Sequence, residues 1–105
     1  MLGTLEQIVL LAVMCLAADA YGTTIRDEIQ SRTGRRISFG AVYVTLQRLE
    51  SKGFVTSWMG EPTAERGGRA KRFFRASAAG RRAVQRSQAA IAAMNPSLRE
   101  ARGTS

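Results

Sequence analysis

Histidine is missing from this 105-residue sequence, cysteine occurs once and proline twice. Each shortage closes off a class of function. Without histidine there is neither the commonest metal ligand nor the commonest general base. Cys15, alone in an apolar run, cannot form an intrachain disulfide, which fits a reducing compartment. Acidic residues are scarce as well, with 8 Asp and Glu against 16 Lys and Arg and a formal net charge of +8. Those beyond residue 33, namely Glu50, Glu61, Glu65 and Glu100, are scattered and pair into no carboxylate site. The chain is therefore not expected to be an enzyme, nor to hold a metal or a cofactor.

Long hydrophobic runs are also lacking. "LEQIVLLAVMCLAADA" is the most apolar stretch, and its Ala18-Asp19-Ala20 superficially resembles a signal-peptide cleavage site. No Lys or Arg precedes the run, however, and Glu6 lies just ahead of it. Ile8 to Ala18 is too short for a bilayer, which takes about 20 apolar residues. A buried first helix is expected, and no membrane association.

What is present is basic charge, unevenly placed. Residues 1–33 carry Arg26 and Arg32 against Glu6, Asp19, Asp27 and Glu28, a balance of −2, so the overall +8 leaves +10 on the rest. That asymmetry suggests a near-neutral scaffold joined to a half that binds a polyanion. The length is that of one small domain, which buries only about two-thirds of its unfolded surface, so a partner subunit would help.

The chain divides into short elements. Thr4 with Gln7 three residues on makes a capping box for a first helix running to about Ala18. "DAYG" turns the chain, and Thr23 or Thr24 caps a second helix through about Arg32, stopped by Gly34. Ser38 caps a third, with Val42, Leu46 and Leu49 as an inward stripe and Gly53 as its stop. Two strands follow, Phe54 to Trp58 and Ala70 to Ala76, around the loop "GEPTAERGG". Trp58 reads as hairpin packing. Ser77 caps a last helix to about Met94, ended by Asn95-Pro96. Three helices, a two-stranded hairpin and a closing helix are the layout of a winged helix: mainly α with a small β-hairpin (α+β).

With the stripe inward, Gly40, Ala41, Val44, Thr45 and Arg48 lie on or near the outward side of the third helix. Small residues at a helix entrance let the backbone enter a major groove about 12 Å wide. The free amides of the first turn favour a phosphate, and Arg35 and Arg36 would flank it. The Arg48 fork matches guanine O6 and N7, while Ala41, Val44 and Thr45 offer methyl groups to thymine. Tyr43 either fills a gap beside the core or reaches a phosphate. An ordinary amphipathic helix would share these features, so the hairpin decides. "ERGGRAKRFFR" clusters Arg66, Arg69, Lys71, Arg72 and Arg75 around paired glycines, with only Glu61 and Glu65 opposing them. Strand alternation puts Lys71, Phe73 and Arg75 on one face and Arg72 and Phe74 on the other. Such a wing would add a sequence-independent, salt-sensitive contribution to nucleic-acid binding.

Three stretches taken together, "ISFGAVYVTLQRLESKGFV", "GGRAKRFFRAS" and "AAGRRAV", resemble the PadR family of bacterial transcriptional regulators, in its short form with a single C-terminal helix. The resemblance spans roughly Leu5 to Val84. It implies a homodimeric winged helix-turn-helix repressor on an inverted-repeat operator in double-stranded DNA, cytoplasmic and nucleoid-associated in a bacterium. Ser38, Gly40 and Tyr43 match the family's helix entrance, and Gly68, Arg69, Lys71 and Arg72 its wing. There are departures. Val44 and Ala70 stand where proline is common, Phe73 and Phe74 where tyrosines are frequent, and "RAS" at Arg75 to Ser77 replaces a usual leucine-threonine.

On this reading residues 1–76 form the DNA-binding domain, 77–95 the dimerisation helix and 96–105 a frayed tail. Gly80, Val84, Ser87, Ile91 and Met94 repeat at spacings of four, three, four and three, a coiled-coil-like seam. Val84, Ser87, Ile91 and Met94, with Leu5 and Ile8 of the first helix, are the expected dimer interface; packing on the chain's own first helix is the alternative. Many relatives release DNA on binding a small apolar or aromatic effector, and Met14, Cys15, Ile91 and Met94 could line its pocket. Two other functions remain as alternatives: a basic RNA-binding module, which draws on the same charge, and a protein-interaction winged helix, whose exposed helix would dock a partner with little dependence on salt.

Overall fold

The computed structural model describes residues 2–61 and 70–96. Helix α1 spans Thr4–Leu16 and ends in a single 3₁₀ turn at Ala17–Asp19; α2 spans Gly22–Thr33 and α3 Phe39–Ser51. Strands β1 (Val55–Met59) and β2 (Arg72–Ala76) form an antiparallel hairpin, and α4 covers Ala78–Met94. This is the expected winged-helix layout.

The helix stops and two of the caps follow local chemistry. Ser38 Oγ accepts the Ala41 N–H at 3.1 Å and Ser77 Oγ accepts the Gly80 N–H at 3.0 Å, as N-cap serines do. Gly34 and Gly53 close α2 and α3 at φ +71° and +76°, backbone angles that side chains disfavour. The other two caps differ from expectation. Helix α1 starts one residue early, on Gly3, whose N–H is taken by Glu6 Oε1 at 2.9 Å. Gln7 is instead buried, donating to the Leu2 carbonyl and accepting from Gln88 of α4. Thr24 does not cap α2 from outside. It sits in the first turn and its hydroxyl oxygen accepts the Tyr21 N–H at 3.0 Å.

The core lies where α1, α2, α3 and the hairpin meet. Val9, Leu10 and Val13 pack with Ile25, with Val42, Leu46 and Leu49, and with Val55, Phe74 and Val84. Across the hairpin Val55 pairs with Ala76 and Met59 with Arg72, each strand one or two residues shorter or later than the sequence suggests. Phe74 faces the core. Phe73, on the opposite face, stacks on Trp58 at 5.9 Å and meets Tyr21 edge-on at 5.3 Å. The Phe74 N–H reaches the Ala20 carbonyl at 2.9 Å and Tyr21 bridges to Phe73, so the wing is hydrogen-bonded to the start of α2.

Helix α4 corrects the expected seam. Val84 and Ser87 are 1% and 4% exposed inside their own protomer, and a side chain at Gly80 would lie 2.1 Å from the Phe54 carbonyl oxygen. These positions are covered by the chain's own domain, the alternative kept open by the sequence. The first half of α4 meets its own domain immediately after the hairpin, and that surface takes up the apolar stripe first. Beyond it the stripe continues uncovered, with Ile91 56% and Met94 80% exposed.

Candidate nucleic-acid interface

Helix α3 is amphipathic in the sense expected, with one exception. Val42, Leu46 and Leu49 are buried, while Gly40, Val44 and Arg48 are exposed and Ala41 is partly so. Thr45 is the exception. It is only 3% exposed, and its hydroxyl donates to the Ala41 carbonyl one turn back at 2.7 Å. Its methyl and hydroxyl are both used inside the fold, which removes it from the expected base contacts. Position 45 precedes Leu46 on the buried side, and the burial of α3 there is wider than the three-residue stripe suggested.

The helix entrance is open. A Cβ built on Gly40 would meet nothing closer than Ser38 Oγ at 3.9 Å, and its φ is not in the left-handed region. Neither packing nor backbone geometry within the chain asks for glycine there. Ser38 satisfies the Ala41 amide, and helical geometry leaves the Phe39 and Gly40 amides without intrahelical acceptors, at the positive end of the helix dipole.

Tyr43 resolves its own ambiguity. Its ring lies against Gly22, where a Cβ would come within 2.8 Å of the hydroxyl, so the ring fills the space between α2 and α3 with its hydroxyl at the α2 entrance. Tyr21, Gly22, Thr23, Tyr43, Met59, Ala70, Lys71 and Arg72 surround a cleft of about 400 Å³ between the α2 entrance, α3 and the base of the wing. Lys71 is held there with its ammonium 4.5 Å from the centre of the Tyr21 ring and 3.4 Å from that residue's hydroxyl. Arg72 donates to Ser57 Oγ at 2.9 Å, and Ser57 in turn donates to Glu50 Oε2 at 2.7 Å. Its guanidinium is thereby tied back toward α3. Arg75 lies over the Trp58 ring at 5.7 Å.

Arg35 and Arg36 are exposed in the α2–α3 connection, where with Leu5, Ile8, Ile29 and Ile37 they border a separate groove of about 280 Å³ against α1. Arg48 is exposed on α3, and the Glu6 carboxyl is held below its ordinary range by the Lys52 hydrogen bond first and, least of its causes, by the Arg48 charge. Gly68 and Arg69 lie outside the described residues, as does Arg66. Among the described residues no group of three or more His, Cys, Asp or Glu could hold a metal, and no helix is long and apolar enough to cross a membrane.

Two residues at this surface carry no signal in the sequence. Arg26 of α2 places its guanidinium 4.0 Å from the centre of the Phe39 ring, and Phe39 is 40% exposed at the first position of α3. Only the crossing of α2 and α3 shows them as a pair.

The family model described as the transcriptional regulator PadR-like family matches residues 10–86. Among solved structures, a transcriptional regulator from Clostridium thermocellum is 19% identical, with a TM-score of 0.71 over 87% of this chain and 88% of its own. A PadR family transcription regulator from Clostridium difficile R20291 is 17% identical, with a TM-score of 0.68 over 82% and 84%. Bacillus subtilis PadR, solved in complex with operator DNA, is 16% identical, with a TM-score of 0.66 over 81% of this chain and 46% of its own. These likenesses share the fold. No curated protein matches the sequence.

Proposed function

This chain belongs to the PadR-like family of transcriptional regulators, and from that premise we propose that it is a repressor that binds an inverted-repeat operator as a homodimer. The α3 entrance lies in the major groove. Gly40, Ala41, Val44 and Arg48 approach the bases there, and the amides after Ser38 take a phosphate. Lys71, Arg72 and Tyr43 meet the backbone at the cleft beside the α2 entrance, Arg35 and Arg36 add charge, and Gly68 and Arg69, outside the described residues, complete the proposed DNA contacts. Leu5, Ile8, Ile91 and Met94 join the protomers in the cytoplasm of a bacterium. A small apolar or aromatic effector held at the dimer centre, between Met14, Cys15, Ile91 and Met94, would release the DNA.

The observation that carries this reading is the empty space at Gly40. A glycine that the fold itself does not require, on the exposed first turn of a capped helix beside a basic cleft, is explained by close approach of something outside the chain. The DNA complex of the Bacillus subtilis relative agrees with duplex DNA as that partner. Replacing Gly40 with leucine tests it. The variant is expected to unfold at an unchanged or slightly higher denaturant concentration, because leucine is the better helix former. It is also expected to lose duplex binding by at least tenfold. A folded Gly40→Leu protein that binds duplex as tightly and as selectively as the parent would overturn the reading. Footprinting upstream of the chain's own gene should show two protected half-sites about one helical turn apart. Competition with structured RNA at fixed salt should leave the duplex complex intact.

A further inference from the structure

We propose that Phe39, held in place by Arg26, is a base-reading residue that receives the 5-methyl group of a thymine. The inference rests on the reading above and names a specificity element within it. Phe39 follows the Ser38 cap directly and so occupies the turn of α3 that would go deepest into the groove. It is a large apolar side chain left 40% exposed. Its ring is not loose. The Arg26 guanidinium covers it at 4.0 Å, within the range of cation–aromatic attraction, and Arg26 is itself paired with Asp27 at 3.3 Å. One turn away along both helices, the Tyr43 ring is seated against Gly22. The two contacts, 22 with 43 and 26 with 39, lie four residues apart on each helix and set the α2–α3 spacing at the entrance.

A ring fixed in this way has little rotamer freedom left to lose on binding, so its contact energy is not spent on ordering it. In the major groove the thymine methyl is the one apolar group that a base pair displays, and an aromatic side chain is a known partner for it. Gly40, the next residue, offers no side chain that would hold the ring away from the base edge.

The test uses an operator obtained by selecting bound sequences from random duplexes. Each thymine of a half-site is then replaced, one at a time, by deoxyuridine, which removes only the methyl group. With the unmodified protein, at least one position per half-site should lose affinity about fourfold, the factor that corresponds to burying one methyl. Phe39→Ala should bind the thymine operator more weakly and show no further loss at that position, while its response to deoxyuridine elsewhere is unchanged. Phe39→Leu, which keeps an apolar side chain, should retain part of the methyl response and provides the measurement if the alanine variant does not fold. Arg26→Gln should reduce the methyl response without moving it to another base. A parent protein indifferent to every deoxyuridine, or Phe39 variants with the parent's full response at the same position, would overturn the inference while leaving the repressor reading intact. A selection that yields no enriched duplex would remove both.

Discussion

At the scale of single residues, two glycines in the first turns of helices, one exposed and one buried, have opposite reasons to be there. A side chain at Gly80 would collide with the Phe54 carbonyl at 2.1 Å, whereas one at Gly40 has 3.9 Å of clearance. Gly80→Ala should therefore destabilise the protein by about 1–3 kcal/mol in urea denaturation, because backbone rather than a flexible side chain must move. Gly40→Ala should change stability by less than about 1 kcal/mol in the same assay. The basic side chains divide in a similar way. Arg48, on α3, should read bases: Arg48→Ala is expected to relax preference at one operator position at a cost of about 1–3 kcal/mol. Lys71, beside the α2 entrance, should hold phosphate: Lys71→Ala is expected to weaken all sequences alike and to lower the salt slope by about 1. Titrating both variants against operator and scrambled duplex at several salt concentrations separates these roles. Equal weakening of every sequence by Arg48→Ala would contradict its assignment.

At the scale of elements, Glu6 connects two helices. Its carboxylate caps α1 through the Gly3 N–H at 2.9 Å and pairs with Lys52, at the end of α3, at 2.7 Å. The Lys52 hydrogen bond first, then the Gly3 amide, hold its carboxyl below the ordinary carboxylate value, and these outweigh the opposing effect of burial. A carboxyl with a depressed folded pKa stabilises the native state above its unfolded pKa and loses that contribution as pH falls through the folded value. Glu6→Gln should thus cost on the order of 1 kcal/mol at neutral pH, given that Lys52 is substantially exposed. The difference from the parent should shrink as pH is lowered from about 5 toward 3. Denaturant midpoints across that range measure it, and a difference independent of pH would show that the ion pair is not its source. Since Lys52 terminates α3, the same pair fixes how α3 leans on the rest of the domain.

At the scale of the whole molecule, the wing, the α2 entrance and α3 act as one surface because the backbone joins them. The Phe74–Ala20 hydrogen bond and the Tyr21–Phe73–Trp58 ring contacts tie the hairpin to α2, and Tyr43 on Gly22 ties α2 to α3. The second half of α4 stands apart from this unit. Ile91 and Met94 are the large apolar residues exposed on it, and in the proposed dimer pairing through them would bring two α3 helices to one duplex. Ile91→Asp combined with Met94→Asp should give a folded monomer by sedimentation. That monomer should keep weak affinity for one half-site and lose the added affinity of the inverted repeat. A double variant that remains a dimer would move the interface to Leu5 and Ile8 alone.

Local chemistry was enough to read the order of elements. Serine before α3 and α4, glycine after α2 and α3, and β-branched or aromatic residues flanking a Gly- and Pro-rich loop each act within a few residues of themselves, so no tertiary information was needed. The open helix entrance at Gly40 and the basic character of the wing were legible for the same reason. What the sequence could not decide was how wide each buried sector is and which neighbour covers it. Thr45 turned out to be covered, Val84 and Ser87 were taken by their own domain, and Glu6 rather than Gln7 capped the start of α1. Helical periodicity names the residues that share a face. The crossing of one helix over another decides which of them meet protein and which are left for a partner.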